Sequence, residues 1–243
     1  MMKFHQIKNT LKIKPIQINT YNQHSISISD SFVFRTDKKF ETVFRFIDIL
    51  DLYFDLPTDE IILKFYCNNN KLIKKKIFNQ IKNQNELFID QKFLDGYSGI
   101  GTFVIYHIPK DKEKLLRFNN RCYIGYKKDN SYSFVHGNTY VKGLEILSKK
   151  EKTGFVKQSL LSNWKYILQK DFSKYDFSEL LIVNPLDTNL KLNCNNENYI
   201  IKNNCIINIE IKNISTVELI SNCTLLRPMV FSYKDNFFDV HHG

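Results

Sequence analysis

No alanine occurs anywhere in this 243-residue chain. Without the strongest helix former, and with asparagine a poor substitute, helices have little to start from. The 20 phenylalanines and 13 tyrosines, with many isoleucines beside them, suit a pleated, half-buried surface instead. Periodicity agrees. Ser25-Ile26-Ser27-Ile28-Ser29 alternates strictly. Phe32 to Phe34, Thr42 to Phe46, Glu60 to Tyr66 and Gly101 to His107 are β-branched or aromatic runs bounded by polar turns. Candidate helices are few: Asp111 to Phe118 is short and charged, Thr153 to Leu168 carries a loose apolar stripe, and Phe46 to Phe54 has room for one or two turns.

Two stretches look alike. Leu63 to Asn70 ends a strand in asparagines and resumes at Lys71 to Lys74, and Leu190 to Glu197 does the same before Tyr199 to Lys202. Asparagine tolerates positive φ, so each reads as a hairpin with an Asn-rich tip. A further strand and an apolar strand follow in both cases, at Glu86 to Asp90 and Thr102 to Ile108, then at Val217 to Ile220 and Leu225 to Tyr233. The expectation is an all-β chain of two tandem antiparallel β-sandwich domains, immunoglobulin-like, with few short helices. Residues 1–22 then form an N-terminal arm or edge strand, and 23–110 the first sandwich. Residues 111–243 form the second, which includes a central hairpin across Lys127 to Asn130.

With 43% hydrophobic and 25% charged residues the chain is too apolar to be disordered. It has no apolar run of eighteen residues, so no membrane span is expected. Met1 to Lys14 lacks the apolar core of a secretory signal. Five cysteines, an odd number without a CxxC pair, argue against a disulfide framework and for a reducing, cytoplasmic setting. The net charge of +10 suggests nucleic acid at first sight. Yet 30 of the 35 cations are lysines, scattered along the chain, and Lys, Asn, Ile, Phe and Tyr are what AT-rich codons supply. Nucleic acid is therefore not the expected partner. The five surviving arginines, Arg35, Arg45, Arg117, Arg121 and Arg227, point instead to places that need a planar fork.

Two constellations stand out. Arg121 begins one arm of the central hairpin and His136 ends the other. That gathers Arg121, Tyr123, His136 and Asn138, with Arg227, into a rim suited to an anionic or sugar-like ligand. At the end of the sequence Asp239 and His241 share a strand face beside His242, and with His136 they make a ligand set for zinc or iron. Gly96 to Gly101 is followed by a strand and lacks a P-loop ending, so it is a bend. No GxSxG elbow exists, and the mid-strand cysteines read as buried packing residues. The expected function is non-enzymatic binding without a cofactor, directed at a glycan, a protein surface or further copies in a homo-oligomer. The alternative is a metal-dependent enzyme with a His-rich site at the domain junction.

Overall fold

The computed structural model describes residues 25–79, 85–113, 116–120, 122–159, 162–168 and 171–243. In chain order its strands begin with β1 (Ile26–Asp30), β2 (Phe32–Arg35), β3 (Phe40–Phe46), β4 (Thr58–Cys67) and β5 (Leu72–Phe78). They continue with β6 (Asn85–Ile89), β7 (Ile100–Pro109), β8 (Arg117–Asn120), β9 (Tyr123–Lys128) and β10 (Ser131–His136). Next come β11 (Tyr140–Glu145), β12 (Glu151–Lys152), β13 (Trp164–Leu168), β14 (Phe177–Val183) and β15 (Leu190–Cys194). The last are β16 (Glu197–Ile201), β17 (Ile206–Ile211), β18 (Val217–Ser221), β19 (Met229–Lys234) and β20 (Phe237–His242). Ile49–Phe54 is the only α-helix among the described residues; Asp48 caps it by accepting from the Leu50 and Asp51 amides.

These strands make five four-stranded sheets: β12-β11-β1-β8, β2-β7-β4-β5, β10-β9-β3-β6, β17-β14-β19-β20 and β13-β18-β15-β16. We refer to them as the first to fifth sheets. The molecule is all-β, but its small sheets are arranged as a five-bladed propeller and not as two tandem immunoglobulin-like sandwiches. The division at residue 110 does not separate sheets. β1 pairs with β8 and β11, and β3 pairs with β9, each across that point. The largest core cluster likewise draws Phe32 to Ile146 together with Leu181, Phe231 and Val240. The proposed arm, residues 1–22, lies outside the described residues.

The two look-alike stretches are both hairpins, β4–β5 and β15–β16, with positive φ at Asn70, Asn195 and Asn196. They are not copies of one domain. In the first it is the later apolar strand, β7, that pairs with the hairpin; in the second it is the intermediate strand, β18. Two expected helices are corrected at their ends: Arg117 and Phe118 of the first belong to β8, held by β1, and Trp164–Leu168 of the second is β13, held by β18. The lysine cluster Lys74, Lys75 and Lys76 falls on β5, an edge of the second sheet. Charges there keep an open edge from pairing with another chain.

Each junction between sheets has its own chemistry. Ser27 and Ser29 point to β7, where their hydroxyls accept from the His107 and Ile105 amides at 3.3 and 2.9 Å. Ile26 and Ile28 take the other face of β1, against Phe155. The strict Ser/Ile alternation thus marks a strand buried on both sides. The second and third sheets join through Phe32, Phe44 and Phe103, whose ring centroids lie 4.8–5.2 Å apart. Phe40, Phe231 and Phe238 join the third to the fourth. The fourth and fifth enclose a separate aliphatic cluster that includes Leu180, Ile182, Leu192 and Leu219.

A charged group is buried between the first two sheets. The Lys142 ammonium sits 3.4 Å above the Tyr66 ring and donates to Asn70 Oδ1 at 3.1 Å. Burial lowers its pKa to about 8, while Glu151 nearby acts in the opposite direction. Between about pH 8 and 10 the unfolded lysine still holds a proton that the folded one has released, so this group makes stability rise with pH. From pH 7.5 to 9.5 the rise should be about 1–2 kcal/mol. Urea unfolding of the wild type and Lys142→Met at both values checks this: the variant should lose the increment, and equal slopes would contradict the assignment.

Candidate functional site

The third sheet presents one face to the core and one to solvent, as strand alternation requires. Phe40, Thr42, Phe44 and Phe46 of β3 point inward, leaving Glu41, Val43 and Arg45 on the outer side. On β10 the buried Val135 sets the parity, so Tyr132, Phe134 and His136 point out. Register then places His136, Tyr123, Arg45 and Glu86 in one row across the four strands. Phe134, Gly125, Val43 and Phe88 form the next row. Tyr132, Lys127 and Glu41 form a third.

Four rings on this face stay open to water: Tyr123 is 55% exposed, Tyr132 53%, Phe88 51% and Phe134 40%. Exposed rings gathered on one sheet face, unlike scattered single ones, usually mark a contact surface. Its geometry is fixed by neighbours. The Phe134 ring crosses Gly125 so closely that a Cβ there would stand 2.4 Å from it. The Arg45 guanidinium lies 4.9 Å over the same ring and its Nε donates to Glu86 Oε2 at 2.5 Å. Lys127 pairs with Glu41 at 3.3 Å, and that hydrogen bond raises the pKa of its ammonium. The Tyr123 and His136 rings lie 4.4 Å apart between centroids, tilted by 41° to each other.

Of the residues expected on the rim, the structure brings some together and not others. Tyr123 and His136 are directly opposite in register, whereas the sequence reading set Arg121 against His136. Beyond them β20 runs beside β10, with the Ser133 hydroxyl accepting from the Val240 amide at 3.0 Å. That seam brings the His242 ring to 6.3 Å from His136. Arg227 Nη2 lies 2.6 Å from His242 Nε2. Arg227, His242, His136 and Tyr123 therefore form a line that continues into the Arg45 row. Asn138 does not reach this line: it is buried, its amide donates to Ser31 O, and its Oδ1 has no hydrogen-bond partner among the described residues. Arg121 lies outside the described residues. The rim expected from sequence did not include Arg45, Phe88, Tyr132 or Phe134. The signal for two of them was present, since Tyr132 and Phe134 share the parity of His136.

Asp239 and His241 do share a face of β20, and His242 has the opposite parity. Among the described residues no group of three or more His, Cys, Asp or Glu could hold a metal ion. Cys122 is buried, which pushes its thiol far above the ordinary range. His107 is buried between Asn120 and the Ile47 carbonyl, and burial lowers its pKa. Neither is placed as a nucleophile or its activating base.

No protein-family model matches this chain, and no curated protein matches it either. Among solved structures it is similar to the M60 catalytic domain with the CBM51-1 and CBM51-2 domains from Clostridium perfringens ZmpB. That likeness has 8% identity and a TM-score of 0.22, and covers 82% of this chain and 32% of the other. The chain thus spans about a third of that structure's length. It is also similar to a lectin from Pleurotus ostreatus in complex with GalNAc, at 8% identity and TM-score 0.22, covering 92% and 84%. At such TM-scores neither likeness carries an argument about fold or ligand.

Proposed function

We propose that this protein is a non-enzymatic binding protein that holds a glycan on the outer face of its third sheet. The observation that carries this reading is the set of four exposed rings on one sheet face, interleaved with two fixed ion pairs, Arg45–Glu86 and Lys127–Glu41. Aromatic rings offer flat apolar surfaces to the C–H face of a sugar, and oriented charged groups give and accept hydrogen bonds from its hydroxyls. A protein partner is the second reading. It is disfavoured because the centre of a protein–protein contact is usually depleted in charge, whereas these pairs lie among the rings. Five free cysteines support a reducing, cytoplasmic setting. No helix of the described residues is long and apolar enough to cross a membrane.

Each stacked ring contributes about 0.5–1.5 kcal/mol, so losing two should weaken binding by roughly 5- to 150-fold. Binding of the wild type and of the Tyr123→Ala/Phe134→Ala double variant to an array of oligosaccharides tests this. The expected outcome is a loss of about fivefold or more with a melting temperature near that of the wild type, because both rings are on the surface. Retained affinity in the double variant, or a wild type that binds no glycan, would refute the proposal.

A further inference from the structure

The outer face of the fifth sheet carries a second, quite different surface. Leu190, Leu192 and Cys194 of β15 enter the core with Val217 and Leu219 of β18, so Lys191, Asn193, Glu218 and Ile220 face outward. Register sets Asn193 between Asn198 and Ile220, and Lys191 opposite Ile200. A groove of about 330 Å³ runs over them, lined by Asn163, Lys191, Asn193, Asn198, Ile200 and Ile220. That volume is at the lower end for small-molecule sites. Asn193 Nδ2 donates to Asn198 Oδ1 at 3.0 Å, which orients both amides. Beside Lys191, Asn222 accepts from the Lys191 amide at 3.0 Å. Its own Nδ2 is buried and has no hydrogen-bond partner among the described residues.

We infer that this groove is a second saccharide site, for an uncharged polyhydroxylated ligand, which makes the chain bivalent toward glycans. The inference rests on the glycan reading of the third sheet for its ligand class. Asn193 is held by Asn198 and by the Asn196 backbone amide at 3.1 Å, and it thereby orients Asn198. Asn198 Nδ2 together with the Asn163 side-chain amide supplies the mixed donor and acceptor pattern that hydroxyl groups match. Lys191 is the one charged side chain in the lining, so a multiply charged ligand finds no matching set. Ile200, 72% exposed, and Ile220 supply apolar contact for the C–H faces of a ring. Two sites on one chain raise retention on a dense glycan surface by 10²-fold or more without any new contact.

The test uses the full chain on an array of neutral oligosaccharides, printed densely and sparsely. It compares the wild type, Tyr123→Ala/Phe134→Ala, Asn193→Leu/Asn198→Leu, and Ile200→Asp. Ile200 is so exposed that its replacement spares folding while placing a charge in the groove. Both groove variants should lose at least tenfold in retention on dense spots and little on sparse ones. If the groove variants match the wild type on every neutral glycan while the ring variant fails, the groove inference falls and the third-sheet reading stands. If the ring variant binds normally and the groove variants do not, the reverse holds. A wild type that binds none of the glycans overturns both.

Discussion

Arg35→Ala should lower the unfolding free energy by about 3–5 kcal/mol, the usual cost of removing one partner from a buried ion pair. Arg35 is wholly buried where the second, third and fourth sheets meet. Its Nε and Nη2 donate to the two Asp37 carboxylate oxygens at 3.0 and 2.8 Å. Nη1 donates to Glu179 Oε2 at 2.5 Å and to the Tyr233 hydroxyl at 2.9 Å. The guanidinium also lies 4.4 and 4.8 Å from the Phe40 and Phe231 rings. Without it, the buried Glu179 keeps only Lys38, Tyr233 and Asn208. Lysine cannot reproduce the fork, so Arg35→Lys should recover less than half of the loss. Removing both charges, as in Arg35→Met/Glu179→Gln, should recover more. Urea unfolding followed by far-UV circular dichroism gives these values, and a loss below about 1 kcal/mol in Arg35→Ala would show that the junction does not depend on this residue.

The same pair dictates behaviour in acid. Burial alone would raise the Glu179 pKa, but Arg35, Lys38 and Tyr233 together hold it down at about 2. A carboxylate depressed in the folded state stabilises above its unfolded value, near 4.3, and the gain is lost as pH falls through that range toward 2.

Gly101→Ala is the second large effect. A Cβ at this position would stand 2.3 Å from the Tyr66 carbonyl oxygen and 2.4 Å from Phe34 Cζ. Tyr66 lies on β4 and Phe34 on β2, the two strands that flank β7, so the added atom meets sheet backbone on one side and core on the other. Overpacking of this kind costs about 1–3 kcal/mol, and the backbone contact places it at the upper end. For a domain of this size that is a fall of roughly 5–10 °C in melting temperature. Gly96→Ala is the control: its φ of +92° is strained for alanine, but open space surrounds the position. Thermal unfolding should rank Gly101→Ala well below it, and equal values would show that β7 can shift aside.

What was legible in the sequence was local. The hairpins at β4–β5, β9–β10 and β15–β16 followed from alternation and from residues that accept positive φ, and the structure has φ of +51° at Asp129 between β9 and β10. One of them set the start of β9 against the end of β10, although the residue opposite His136 is Tyr123 and not the expected Arg121. Partners distant in the chain were hidden, because period-two patterning says which side a residue takes and nothing about which strand lies next to it. Arg45 and Phe88 reach the site only through β3 and β6, so no motif near His136 names them. Asn138 looked like a turn residue on display, yet its side chain is buried and its backbone N–H donates to the Ser31 carbonyl inside the fold. Arg35 and Arg45 set the planar group against a carboxylate and a ring, whereas Arg227 meets His242 through Nη2.

The order in which strands are shared among sheets has a consequence during synthesis. The second sheet is complete in sequence once Pro109 has emerged, but the third sheet, whose β3 packs on its phenylalanines, lacks β9 and β10 until His136 follows. β1, the first described strand to leave the ribosome, remains without its β11 neighbour until Glu145 follows. Translation at 5–20 residues per second therefore leaves a greasy, half-built intermediate in view for seconds. Such a nascent chain is a natural client for chaperones, and its yield on overexpression should depend on their supply more than on the stability of the finished molecule.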